Sequence, residues 1–303
     1  MIPRGHFRRF FFVFLVLTGA AGGPALRGDT SAPAPRVLRA GVETYAAPLT
    51  LADEAGKPTG FAVELLQAVA REQKLEVHYE LMAWPDLLAA FKAGQLDIVC
   101  NISATPERRA YVGFTATTLL MRGGLFRREP SAPISSLADL KGRRLAVPRD
   151  SRAHEYFKTH DLGLELVFAR TLRECIVTVH EGRADLVFAS QIVAEHEIVT
   201  AGYRDIVPVD LLFPDFDYRQ HFGVQPADTE LLAQLNEGLL AVTRDGTYDR
   251  LYEKWLGPLQ RRVRWRDLRP YVLPLLLIIA LGLCGLAWQR RLLRQISQQA
   301  DAL

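Results

Sequence analysis

The chain has 303 residues, 49 % of them hydrophobic, and a net charge of +3 from 37 basic and 34 acidic side chains. That length holds two domains, or one domain with targeting segments, and so small a surplus of arginines gathered near the chain ends excludes a nucleic-acid footprint. The 3 cysteines and 7 histidines are scattered without ligand-type spacing, so neither a metal nor a cofactor is expected.

Residues 1–26 run from a basic start (Arg4, His6, Arg8, Arg9) through an apolar stretch, Phe10 to Leu17, into small residues between Gly19 and Ala25. This is the layout of a secretory signal peptide, cut near Ala25 or kept as an N-terminal anchor. Either outcome carries the adjoining domain out of the cytoplasm. Residues 27–36, rich in Pro, Ala and Ser, read as a linker.

From residue 37 to 257, strand and helix patterns alternate, the mark of α/β architecture. Val37 to Val42 reads as a strand, and Phe61, Leu65 and Val69 fall on one helix face. Val77 to Met82 is a second strand. Trp84, Leu87, Leu88 and Phe91 come next at i, i+3, i+4 and i+7, and Gly94 closes that helix. The strand Leu96 to Cys100 carries Asp97 and leads into the turn from Asn101 to Arg109. That turn has two readings. Thr105-Pro106-Glu107 is a helix start, with Thr as N-cap and Pro at the first helical position, which makes the following arginine a solvated side chain. Alternatively, an arginine held at a strand end presents a planar fork to a carboxylate.

The pattern then repeats. Leu172, Cys175, Ile176 and Val179 form a helix face stopped at Gly182, and Ala184 to Phe188 is the next strand, so Gly182/Asp185 echoes Gly94/Asp97. Two copies imply two lobes of similar build rather than a solenoid. Lobe 1 is expected to span residues 37–127 and 219–257, with lobe 2 at residues 128–218. His221 opens a strand returning to lobe 1, and Leu232, Leu235, Leu239 and Val242 line a last helix. Two crossings between lobes make a hinge, with the ligand site in the cleft. Cys100 and Cys175 fall in different lobes and read as buried thiols. His154, Glu155 and His160 lack the spacing of a zinc helix. Glu195-His196-Glu197 reads as a solvated helix face.

Near the chain end, residues 271–288 are apolar throughout, with Tyr271 and Trp288 at the two edges and Pro274 in the first turn. At 1.5 Å per residue they span roughly 27 Å, enough for a transmembrane helix. Arg261, Arg262, Arg264, Arg266 and Arg269 in the juxtamembrane stretch 258–270 outnumber Arg290, Arg291 and Arg294 beyond the span. Positive-inside counting opposes an exported domain here, and the signal peptide outweighs it because long domains translocate largely regardless of charge. Residues 289–303 form a cytoplasmic helical tail with Leu292, Ile296, Ala300 and Leu303 at helical spacing. That tail is either a short stop-transfer segment or the first turns of a signalling coiled coil.

With these residues in view, the chain resembles the family 3 extracellular solute-binding proteins of the polar amino-acid binding type. The resemblance rests on Gly56-Lys57-Pro58-Thr59-Gly60-Phe61, Thr105-Pro106-Glu107-Arg108, Leu137-Ala138-Asp139-Leu140-Lys141-Gly142, Asp245-Gly246-Thr247-Tyr248 and Tyr252-Glu253-Lys254-Trp255. It implies a bilobed periplasmic-binding-protein fold, hinge closure on a small carboxylate or amino-acid ligand, and no catalysis. Carried over by position, Arg108 clamps a ligand carboxylate with Ser103 and Asn101 helping. Tyr45 and Trp84 wall the ligand, and Ser151 belongs to the loop that the second lobe offers.

This chain departs from the pattern in that loop, where Asp150 and Arg152 flank Ser151, and at Ser190, which stands where the family has the acid that holds an α-ammonium. A cation in a closing cleft needs a counter-charge. Arg108 with Arg152 therefore points to an anionic solute, unless Asp215 or Asp217 replaces the missing acid. Among the cleft positions placed this way only Asp150 is acidic, which speaks against a dehydratase or lytic enzyme on the same fold. The expectation is the ligand-sensing part of a membrane-anchored receptor. Its binding domain lies in the periplasm and its helix in the inner membrane, with a signalling partner or a second copy contacted through the C-terminal helix. The other reading is the substrate-binding component of an amino-acid ABC uptake transporter.

Overall fold

The computed structural model describes residues 37–213, 216–257, 272, 274 and 276–289. The signal-type segment, the linker, Asp215, the arginine-rich stretch 258–270 and the tail from Arg290 lie outside the described residues.

The chain opens with β1 (Val37–Glu43), β2 (Tyr45–Ala46), β3 (Thr50–Ala52), β4 (Pro58–Thr59), α1 (Phe61–Glu72), β5 (Glu76–Met82), α2 (Trp84–Lys92) and β6 (Ile98–Ser103). A 3-10 turn, Arg108–Ala110, precedes β7 (Gly113–Phe114), β8 (Leu119–Met121) and β9 (Gly123–Arg128). Then come β10 (Arg144–Pro148), α3 (Arg152–Thr159), β11 (Glu165–Ala169), α4 (Leu172–His180), β12 (Leu186–Ser190), α5 (Gln191–Thr200) and β13 (Ile206–Val209). The chain returns through β14 (Tyr218–Val224) to α6 (Thr229–Arg244) and α7 (Thr247–Trp255).

Two large sheets and a small antiparallel one, β2-β3-β4, result, giving a bilobed α/β fold built on the two large sheets. The first has the order β5-β1-β6-β14-β7, with β8 also on β14; the second has the order β11-β10-β12-β9-β13. In each, the first three strands are parallel and the next is antiparallel. Parallel strands buried on both faces need helices on both sides. In the first lobe, Phe61, Leu65 and Val69 of α1 pack with Ile98 and Cys100 on one face. On the other, Trp84, Leu87, Leu88 and Phe91 of α2 pack with Val99. Pro85 sits in the first turn of α2 and Gly94 lies just past its end at φ 70°, a left-handed position suited to glycine.

The sheets move one expected boundary. β9 pairs with β12 and β13, so the second lobe begins at Gly123 rather than residue 128, and Tyr218 already belongs to the first sheet. The chain crosses at Arg122 with no slack. A Cβ on Gly123 would lie 2.5 Å from the Phe188 ring and 2.8 Å from that of Phe216. Glu197 is a second correction. It is buried and pairs with Arg173 of α4 at 2.5 Å, because α5 packs beside α4 instead of standing in solvent. Cys100 and Cys175 are free and buried.

Residues 276–289 are helical, with Leu276 to Trp288 exposed along their apolar side chains. Among the described residues no helix is long and apolar enough to cross a membrane. Tyr271, Leu273 and Leu275 of the expected span lie outside them.

Candidate functional site

The carboxyl ends of the parallel strands in both sheets face one cleft, the place where open α/β sheets offer ligand sites. Glu43 ends β1 and Ser103 ends β6, while Pro148 ends β10 and Ser190 ends β12. Between them lies a cavity of about 90 Å³, room for roughly half a dozen waters. All eight residues singled out in the sequence line it: Tyr45, Trp84, Asn101, Ser103, Arg108, Ser151, Arg152 and Ser190.

Arg108 is the centre. Of the two sequence readings of its turn, the solvated one fails, since the residue is 1 % exposed. The turn is a single 3-10 turn rather than an α-helix start, and Thr105 Oγ1 accepts the Arg108 amide at 3.2 Å. Its Nη1 donates to the Ser103 carbonyl at 3.1 Å. Its Nη2 reaches across the cleft, donating to the Asp150 carbonyl at 2.9 Å and pairing with Glu155 Oε1 at 2.8 Å. The guanidinium also lies 5.0 Å from the Trp84 ring. Trp84 is more than a wall, because its Nε1 donates to the same Asp150 carbonyl at 2.8 Å. Asp150 takes a left-handed φ of 56°, which turns that carbonyl toward both donors' lobe. Its amide donates to His154 Nδ1 at 3.0 Å.

The remaining predicted residues have clear placements. Ser103 Oγ accepts from Gln220 Nε2 at 3.1 Å. Ser151 caps α3 by accepting the His154 amide at 3.1 Å. Arg152 stacks 4.8 Å from the Phe216 ring and 5.8 Å from Tyr156. Ser190 Oγ is buried against Met121 Sδ at 3.3 Å. The Tyr45 ring lies 4.8 Å from the Arg173 guanidinium of the opposite lobe.

Sequence reasoning missed Glu43, which lines the cavity with Tyr218 and Gln220. The cleft is therefore not limited to Asp150 for an acid. Burial pushes the Glu43 carboxyl up to about 7, against the opposing pull of Arg108. Burial likewise raises the Tyr218 phenol. Asp217, one candidate for the missing acid, instead pairs with Arg219 at 2.8 Å on the surface. Glu155 stands in the sequence only beside histidines that lack zinc-helix spacing; a first-turn helical glutamate carries no signal of what it reaches across a cleft. Among the described residues no group of three or more His, Cys, Asp or Glu could hold a metal ion.

A buried arginine and a desolvated carboxyl on one lobe, facing acceptors on the other, suit recognition of a small polar solute. Residues 38–258 match the bacterial extracellular solute-binding proteins, family 3. A probable amino-acid ABC transporter-binding protein of Haemophilus influenzae is 26 % identical over 263 residues, covering 82 % of this chain and 98 % of its own. A solved histidine kinase sensor domain with similarity to periplasmic binding proteins is 30 % identical at a TM-score of 0.69, covering 74 % and 97 % respectively. An ancestral arginine-binding protein bound to glutamine is 27 % identical at 0.67, covering 73 % and 98 %. By the span of that family match, the chain belongs to the bacterial extracellular solute-binding proteins of family 3.

Proposed function

We propose that the cleft binds a small carboxylate-bearing solute, anionic or amino-acid-like, by hinge closure, and that this domain is the ligand-sensing part of a membrane-anchored receptor. The observation that carries the binding half is Arg108, a guanidinium 1 % exposed at the strand ends, whose forked donors match a carboxylate. Tyr45, Trp84, Asn101, Ser103, Ser151, Arg152 and Ser190 complete the site. Glu43 supplies an acid that Ser190 does not, so a zwitterionic amino acid fits the cleft's charges as well as a simple anion does. Support for sensing comes from the likeness to a kinase sensor domain and from the apolar stretch 271–288, which we read as the anchor in the inner membrane. Closure shifts a two-state equilibrium by the ligand's preference for the closed form.

The second reading, an ABC uptake component, is favoured by the transporter-type name of the Haemophilus relative. Thermal unfolding of the full chain in mild detergent, against a panel of carboxylates and the common amino acids, tests the site. A ligand that binds only the folded chain raises the midpoint, and Arg108→Ala should remove that rise. A rise that survives Arg108→Ala sinks the clamp. Recovery of the full chain in the soluble rather than the membrane fraction sinks the anchored receptor and leaves the uptake reading.

A further inference from the structure

An arginine side chain has five N–H donors, and a carboxylate held in a fork uses two parallel ones, from Nη1 with Nη2 or from Nε with Nη2. Both forks need a hydrogen on Nη2. In this chain lobe 2 crowds Nη2, which donates one hydrogen to the Asp150 carbonyl at 2.9 Å and has Glu155 Oε1 beside it as an ion pair at 2.8 Å. Nη1 spends a hydrogen on the Ser103 carbonyl. Nε is buried and makes no hydrogen bond among the described residues. Either fork therefore brings a ligand carboxylate up to Nη2, where the Glu155 carboxylate already stands.

We propose that Glu155 is a built-in competitor for the carboxylate clamp, so that Arg108 takes a ligand carboxylate in a fork only as Glu155 leaves it. The proposal rests on the reading of Arg108 as the clamp and adds what regulates access to it. The exchange keeps the charge of the cleft in balance, one carboxylate replacing another beside a guanidinium that water scarcely reaches. Glu155 is able to leave. Its side chain is 17 % exposed, and it sits in the first turn of α3, where the helix N-terminus favours a carboxylate whether or not Arg108 is near. Asp150 and Ser151 hold that turn in place through His154, so release is a rotation of one side chain rather than the loss of the helix start. The result is a cleft in which the ligand breaks a contact between lobes at the moment it makes its own.

The test compares wild type, Glu155→Gln, Glu155→Ala and Arg108→Ala as full chains in mild detergent. The probes are acetate, succinate, benzoate and the common amino acids, titrated by calorimetry. If Glu155 occupies the fork in about nine-tenths of molecules, its removal tightens carboxylate binding about tenfold. Glu155→Ala, which leaves neither a charge nor a side chain beside Nη2, should match or exceed Glu155→Gln. Equal or weaker binding by both Glu155 variants, with binding still lost in Arg108→Ala, overturns the competitor and leaves the clamp standing. Binding that persists in Arg108→Ala overturns the clamp itself. No response of either Glu155 variant to any probe also overturns the competitor, since an opened fork must accept carboxylates more readily.

Discussion

In the first lobe, Asp97 Oδ2 accepts the Arg39 amide at 2.7 Å while the Asp97 amide donates to the Arg39 carbonyl at 2.9 Å. In the second, Asp185 Oδ2 accepts the Arg144 amide at 2.8 Å and the Asp185 amide donates to the Arg144 carbonyl at 2.9 Å. Each staple ties the middle one of a sheet's three parallel strands, β1 or β10, to the strand beside it, at the end remote from the cleft. At the cleft end the likeness stops. Lobe 1 contributes donors, Trp84 Nε1 and Arg108 Nη2, together with the desolvated Glu43; lobe 2 answers with acceptors, the Asp150 carbonyl and Glu155. A shared frame with unlike tops separates the residues that build each sheet from those that tune the site.

The lobes should also differ in how they answer pH. Glu43 in lobe 1 is pushed from its ordinary 4.5 to about 7 by burial. The folded chain then holds a proton more tightly than the unfolded one, so stability falls as pH rises between those values, by about 2–3 kcal/mol once solvent in the cleft is allowed for. Urea unfolding across that window should show the slope, and Glu43→Gln should remove it. A wild-type slope that survives in Glu43→Gln would place its origin elsewhere. Asp185 in lobe 2 runs the other way. Its hydrogen bonds to Arg144 hold the carboxyl below its usual range, so its contribution is present above the ordinary carboxylate value and is lost as pH falls through the lowered one.

The staples themselves rank next. Asp97 has a side chain 11 % exposed, so Asp97→Ala leaves a poorly hydrated Arg39 amide without its carboxylate and should cost about 2 kcal/mol. Asp185 is 27 % exposed beside an Arg144 that is 41 % exposed, and water compensates more of its loss, leaving about 1 kcal/mol. Urea midpoints of the two variants measure the order. A larger loss from Asp185→Ala would mean that the second sheet depends on its staple more than burial indicates.

The staples were legible in the sequence as the Gly94/Asp97 and Gly182/Asp185 echo, because a glycine stop and an aspartate opening a strand are local signals. The cavity-lining positions were legible through the resemblance, which fixes places along the chain. What stayed hidden was long-range. Glu43 comes after Val42 at the end of an ordinary strand, and its desolvation comes from what closes over it. Glu155 looks like any first-turn glutamate until α3 is set against Arg108. Residues 123–128, Gly-Gly-Leu-Phe-Arg-Arg, carry no alternation that would assign them to either sheet, and only pairing with β12 places them in the second. Burial of Glu197 likewise depends on where α4 lies.

The smallest effect expected is at the rim, where the polarity of the central contacts is reversed. There lobe 1 supplies the acid and lobe 2 the base, Asp86 meeting Arg170 at 2.5 Å. Both side chains are more than half exposed, at 55 % and 62 %, so water and salt screen the pair, and ordering two long side chains offsets the attraction. A double-mutant cycle with Asp86→Ala and Arg170→Ala should therefore give a coupling of about 0.5 kcal/mol or less, shrinking at high salt. A coupling well above that, insensitive to salt, would shift the hold between the lobes from the buried donors of lobe 1 to the rim. It would also mean that Trp84 and Arg108 meet Asp150 because the rim brings them there.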